Sequence, residues 1–188
     1  MKPKWWEKSK KYLSKKDKVM KRLIKSYKGN LTSRNNFFYS LTRSIISQQI
    51  SVSAADSVFS KFQKKCRGKI KPKIVSKLSI SDLRKCGLSR MKAIGIKSLA
   101  EKILNKSFNP KLIKNMSDEE AIVYLSSLRQ IGRWSSEMVL IFFYNRSNIW
   151  PVQDIGLLRA ISNNYKKKYL PPMSFVNKLK KSFPLIAP

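Results

Sequence analysis

Apolar residues in this chain recur every three or four positions, and no stretch alternates apolar with polar residues as a half-buried strand would. Val19, Met20, Leu23, Ile24 and Tyr27 form one such stripe, stopped by Gly29-Asn30. Phe37, Phe38, Leu41, Ile45 and Ile46 predict a helix over 37–49. Ser51 or Ser53 then caps a helix carrying Ala54, Ala55, Val58, Phe59 and Phe62. Ser81-Asp82 opens a short helix ending at Gly87, and 90–106 continues with Ile94, Ala100, Ile103 and Leu104 on one side. Ser117 with Glu120 fits a capping box opening a helix through Leu128. Helices over 134–144 and 155–165 follow, the second capped by Asp154, and Pro171-Pro172 starts one more. Short helices joined by turns, without a repeat period or low-complexity tract, predict an all-α fold. The 188 residues suit one compact domain or two small lobes, and no linker divides them.

Charge narrows the partners. Lys+Arg number 41 against 10 Asp+Glu, a net charge of +31, while 42% hydrophobic residues supply a real core. So large an excess repels itself unless a polyanion is the usual neighbour, and nucleic acid is the first candidate. Codon bias toward lysine in an AT-rich genome is the competing source of the charge, and an anionic membrane surface the lesser partner. No apolar run reaches the length needed to span a bilayer, and the N-terminus has no apolar signal region, so a cytoplasmic location is expected, nucleoid-associated in a prokaryote. Residues 1–16 read as a basic, partly helical arm with Trp5 and Trp6 as anchors, and 61–77, with eight Lys/Arg and no carboxylate, as a basic connection. The chain has no histidine, which removes every Ser-His, Cys-His and His-metal mechanism. Cys66 and Cys86 form no CxxC pair, which excludes a four-cysteine cluster. Catalysis is left to carboxylates, lysines, hydroxyls and backbone groups.

Two features carry candidate chemistry. Around Gly132, residues 125–137 (LSSLRQIGRWSSE) place a tight turn between two amphipathic helices. The backbone N–H groups of Gly132, Arg133, Trp134 and Ser135 open the second helix, where the macrodipole favours one phosphate. An ordinary helical hairpin is the other reading of the same spacing. The second feature is Asp154, the only carboxylate between Met138 and Pro188. On spacing alone it is a plain N-cap.

Residues 125–137 resemble the helix-hairpin-helix of base-excision DNA glycosylases, and within that superfamily the AlkA-type 3-methyladenine DNA glycosylases. Three further segments extend the resemblance in the family's order, over roughly 12–183: 41–51 (LTRSIISQQIS), 83–93 (LRKCGLSRMKA) and 150–160 (WPVQDIGLLRA). The resemblance implies a two-lobed helical bundle with the active-site cleft between lobes, lobe A about 17–36 plus 155–188 and lobe B about 37–154. It implies an enzyme that flips an alkylated purine out of duplex DNA and hydrolyses its N-glycosidic bond, starting base excision repair. Asp154 stands in the place of the family's catalytic aspartate, which stabilises an oxocarbenium-like sugar. Gln48 and Gln49 lie on the loop that enters the duplex, with Gln49 at the wedge; Trp134 matches a pocket aromatic, and Met138 sits one turn later. Loop hydrogen bonding for the glutamines, and core packing for Trp134, Met138 and Phe37-Phe38-Tyr39, are the plainer readings. A monomer needing no cofactor is expected, with a monovalent cation at the backbone carbonyls of Leu128 and Gln130.

Departures from the family pattern qualify these expectations. Gln130 replaces the hairpin's first glycine, and Gln153 the first acid of the usual Pro-Val-Asp-Asp run. Bifunctional relatives carry a Schiff-base lysine two residues after the second glycine; here that residue is Trp134, so hydrolysis without strand cleavage is expected. Relatives continue into an aromatic-rich helix beyond the stretch where this chain ends, which suggests truncation or a frameshift near Phe183. The alternative function is a non-catalytic helix-hairpin-helix DNA-binding protein that has lost turnover through that truncation. A basic RNA- or ribosome-associated protein would leave the four ordered segments unexplained.

Overall fold

The computed structural model describes residues 2–33 and 36–183; residues 184–188, where the expected C-terminal shortening falls, lie outside them. Among the described residues all regular structure is helical, and no helix is long and apolar enough to cross a membrane. The chain forms two compact units, one from Met1–Ser33 with Leu140–Pro188, the other from Arg34–Val139.

The first unit contains α1 (Trp6–Lys16), α2 (Lys18–Ser26), α10 (Ile155–Asn164) and α11 (Met173–Ser182). Asp17 separates α1 from α2: its extended backbone ends one helix and its side chain caps the next, accepting from Met20 N at 2.7 Å. The same Oδ1 accepts from Tyr165 Oη at 3.1 Å, which ties this cap to the end of α10. Leu158, Ile161, Val176 and Leu179 form the core, with Trp150, Leu157, Phe175 and Phe183 packed against it. The segment expected to be a basic arm is α1 itself, and Trp5 Nε1 donates to Asn145 O at 2.7 Å. That bond ties the segment after Leu140 to the N-terminal helix, so residues 140–154 belong to the unit of the chain ends, where the resemblance implied the middle lobe.

The second unit contains α3 (Phe37–Ser47), α4 (Val52–Lys65), α5 (Pro72–Val75), α6 (Ile80–Lys85), α7 (Arg90–Leu104) and α8 (Asp118–Ser126), and most of α9 (Arg133–Phe142). Leu41, Ile45 and Ile46 of α3 are fully buried, as are Phe62, Val75, Leu83, Ile96 and Leu125. Each contributes roughly 1.5–3 kcal/mol of burial, so the 3.6-residue stripes seen in sequence are the core faces. α7 lies against α3, α5 and α6. Three local expectations are corrected. The cap of α6 is Ser79, reciprocated by Asp82 in a capping box, and not Ser81. The basic stretch 61–77 is largely ordered into the end of α4 and α5, because Cys66, Ile70 and Val75 are buried between exposed lysines. Pro110–Asn115 forms a 3-10 turn, started by Pro110 and capped by Asn109, where no regular element was expected.

Candidate active site

In the second unit the hairpin is locked from within. Ser117 and Glu120 form the expected capping box at the start of α8. Ser126 Oγ and Ser136 Oγ meet at 3.2 Å across the two helices, and Ser136 Oγ also donates to Gly132 O at 3.0 Å. Arg133 lies along the outside, bidentate to Glu119 (2.6 and 2.9 Å) and bonded through Nε to Glu137 Oε1 at 3.2 Å. The Glu119 contact, first among the causes, raises the guanidinium's pKa. The Arg133 side chain is therefore occupied in bracing the hairpin. Gly132 is exposed, and a Cβ there would meet nothing within 4 Å, so the start of α9 stands open to an approaching backbone.

Gln130, in place of the family's first glycine, adopts a left-handed backbone with φ 66°. Its carbonyl accepts from Gln48 Nε2 at 2.8 Å, and the same amide donates to Ser135 Oγ at 3.1 Å. The amide of Gln48 is thus engaged inside the unit, whereas Gln49 (φ 57°) is exposed at the tip of the loop between α3 and α4. The two carbonyls expected to face a cation each already accept one hydrogen bond, Leu128 O from Ile131 N and Gln130 O from Gln48 Nε2. One lone pair on each remains for an ion.

Trp134 and Met138 are half-buried, one turn apart on α9. Phe37 and Phe38 are core residues, whereas Tyr39 is partly exposed and packs edge-on against Phe59 at 5.2 Å.

Asp154 belongs to the first unit. The turn Asp154 N→Pro151 O (2.9 Å) delivers it to the start of α10, where Oδ1 accepts from Leu157 N at 2.7 Å. The side chain is half-buried beside exposed Gln153, Ile155 and Gly156. A Cβ on Gly156 would stand 3.0 Å from Oδ1, so glycine leaves the carboxylate its room. The cap fixes the rotamer and holds a negative group at the positive end of α10. A fixed charge of this kind stabilises a developing cation without reorganisation.

Residues 42–184 match the family described as the HhH-GPD superfamily of base excision DNA repair proteins. The chain belongs to this superfamily. Among characterised members, DNA-3-methyladenine glycosylase 1 of Schizosaccharomyces pombe is 30% identical over 174 residues, covering 89% of this chain and 76% of that one. The alkylbase DNA glycosidase-like protein of the same yeast is 32% identical, covering 75% of this chain and 68% of its own. In structure, the S. pombe 3-methyladenine DNA glycosylase solved with abasic DNA superposes with a TM-score of 0.82 at 28% identity, covering 94% of this chain and 89% of that one. The 3-methyladenine DNA glycosylase of Archaeoglobus fulgidus gives 0.76 at 27% identity, over 90% of this chain and 61% of that one.

Within this HhH-GPD frame, two residues of the site escape sequence reasoning. Gly95, inside α7, leaves space for the hairpin turn; an isolated glycine in a helical pattern was its only signal. Lys92 donates to Ile46 O at 2.9 Å and Gln48 O at 2.6 Å, and burial pushes its pKa down. Its acceptors are backbone carbonyls, which a sequence does not display.

Proposed function

We propose that this HhH-GPD protein is a monofunctional DNA glycosylase, acting as a monomer on duplex DNA to remove an alkylated purine. The observation that carries the reading is Asp154, a carboxylate fixed by its own helix cap in the segment Trp150-Pro151-Val152-Gln153-Asp154. The names of the relatives support the substrate class, alkylated purines. The target nucleotide must leave the stack before its sugar is reachable. Gln49 at the exposed loop tip fills the gap, and the backbone at 132–135 holds a neighbouring phosphate. Trp134 and Met138 supply a soft, electron-rich wall that attracts the positive charge of an N3-methylated purine.

The N9–C1′ electron pair departs with the base and neutralises its charge, so the leaving group needs no proton. Asp154 stabilises the resulting sugar cation and orients the water whose oxygen bonds to C1′, the released proton passing to the carboxylate or solvent. Because Trp134 occupies the lysine position of Schiff-base formers, the strand stays uncut. A monovalent cation on the second lone pairs of the Leu128 and Gln130 carbonyls would add positive charge near the bound phosphate, and no step depends on it.

The test is release of 3-methyladenine or 7-methylguanine from methylated duplex DNA. Asp154→Asn keeps a capping oxygen and removes the charge, and is expected to lower release by about 100-fold or more with duplex affinity retained. Unchanged release by this variant would overturn the role of Asp154. Duplex binding by the wild type without release would identify a non-catalytic DNA-binding protein. A borohydride-trapped protein–DNA adduct would contradict monofunctional hydrolysis.

A further inference from the structure

The loop between α3 and α4 ends in an exposed tip, 49–52. Gln49 is left-handed, Ile50 is 40% and Val52 79% exposed, and Ser51 caps α4. Such a tip has little packing of its own, so its position depends on what holds its base. Two bonds from Lys92 Nζ close the last turn of α3 at Ile46 O and Gln48 O, placing an ammonium at the negative end of that helix. The side chain of Gln48 then reaches the hairpin at Gln130 O and Ser135 Oγ. Lys92 stands in the first turn of α7, and Gly95 one turn on lets the hairpin turn approach the same helix. Three of the four segments singled out in the sequence are therefore joined by four hydrogen bonds among six polar atoms.

We propose that Lys92 is a positioning residue for base extrusion, holding the loop tip in fixed register with the phosphate-binding hairpin through Gln48. Seating the hairpin on a phosphate then sets where Gln49 stands relative to the strand. The amide of Gln48 acts as a strut and not as part of the wedge. This role rests on the glycosylase reading. Lys92 touches no reacting atom; it acts through the loop, and displacement of a positioning element by about 1 Å costs on the order of 100-fold in rate.

Lys92→Met keeps the length of the side chain and removes the donor. With 2-aminopurine beside an abasic analogue in a duplex, the wild type is expected to raise fluorescence on binding and the variant to lose that rise. Affinity for undamaged duplex should change less than threefold, and 3-methyladenine release should fall in kcat by about 100-fold with KM little changed. Lys92→Arg, which still donates to carbonyls, should recover part of both signals. Should Lys92→Met fail to fold, Gln48→Leu breaks the strut without touching the ammonium and should give the same split. Normal fluorescence in a folded variant, or loss of duplex affinity in parallel with release, would overturn the proposal. Hydrogen exchange separates it from the glycosylase reading: amides 47–52 should exchange faster in Lys92→Met even if the wild type releases no base, and unchanged exchange would sink the clamp by itself.

Discussion

The Cβ that Gly95 lacks would lie 2.7 Å from Gln130 Cγ and 3.0 Å from Gln130 Cβ. Both atoms are close to the backbone of a turn that is itself hydrogen-bonded, so they have little freedom to give way. Alanine in a helix interior ordinarily gains up to about 1 kcal/mol over glycine. Here the overlap reverses the sign, and Gly95→Ala is expected to cost about 1–3 kcal/mol in urea denaturation. In a Gln130→Gly background the two overlapping atoms are gone and only Arg129 O, at 3.2 Å, remains close. Alanine at position 95 should then be neutral within about 0.5 kcal/mol. An equal cost in both backgrounds would show that the contact is not what glycine serves.

Gln130→Gly alone should stabilise the protein. A left-handed backbone costs an ordinary L residue about 1–2 kcal/mol, against about 0.5–1 kcal/mol of extra chain entropy lost by glycine on folding. The difference predicts a gain of about 0.5–1 kcal/mol, measured by denaturation midpoint. The acceptor for Gln48 is the backbone carbonyl, so the substitution leaves that bond in place.

Arg133 bridges carboxylates of very different exposure. The Glu137 side chain is 3% exposed and that of Glu119 69%. Glu119→Gln loses a solvated pair and should cost less than about 1 kcal/mol. Arg133→Met removes the cation 3.2 Å from this buried carboxylate and should cost more than Glu119→Gln in thermal or urea unfolding.

The stripes that predicted helices were legible because burial follows the 3.6-residue period: Leu41, Ile45 and Ile46 are all at 0% exposure. Caps with side-chain acceptors were equally visible, as at Ser117–Glu120 and Asp154. Gln130 stood out in the sequence as a departure from the family's first glycine, and the structure shows how it is accommodated, by φ 66° and the space left at Gly95. The Lys92–Gln48–Gln130 chain was illegible because every acceptor but Ser135 Oγ is a backbone carbonyl. Arg133 is a second case: nothing in its local sequence shows that Glu119, fourteen residues earlier, takes its guanidinium.

Cys66 gives a stability signature in alkali. It is fully buried at the end of α4, and burial, with Cys86 adding to it, pushes its pKa from the ordinary 9.0 up to about 11. Below pH 9 the thiol is protonated in both folded and unfolded chains, so it contributes no pH dependence. Between about 9 and 11 the unfolded chain releases the proton while the native thiol keeps it. The native state then loses stability as pH rises, at a slope approaching about 1.4 kcal/mol per unit. Tyr165, also raised by burial, adds a loss of the same sign above its ordinary 10.0. The difference between wild type and Cys66→Ala therefore isolates the cysteine. Urea midpoints at pH 8, 9, 10 and 10.5 should fall more steeply for the wild type than for Cys66→Ala. At pH 8 the native thiol should react with a disulfide reagent only as fast as the chain opens. Parallel slopes for the two proteins would mean that Cys66 ionises alike in both states and is not held protonated by the fold.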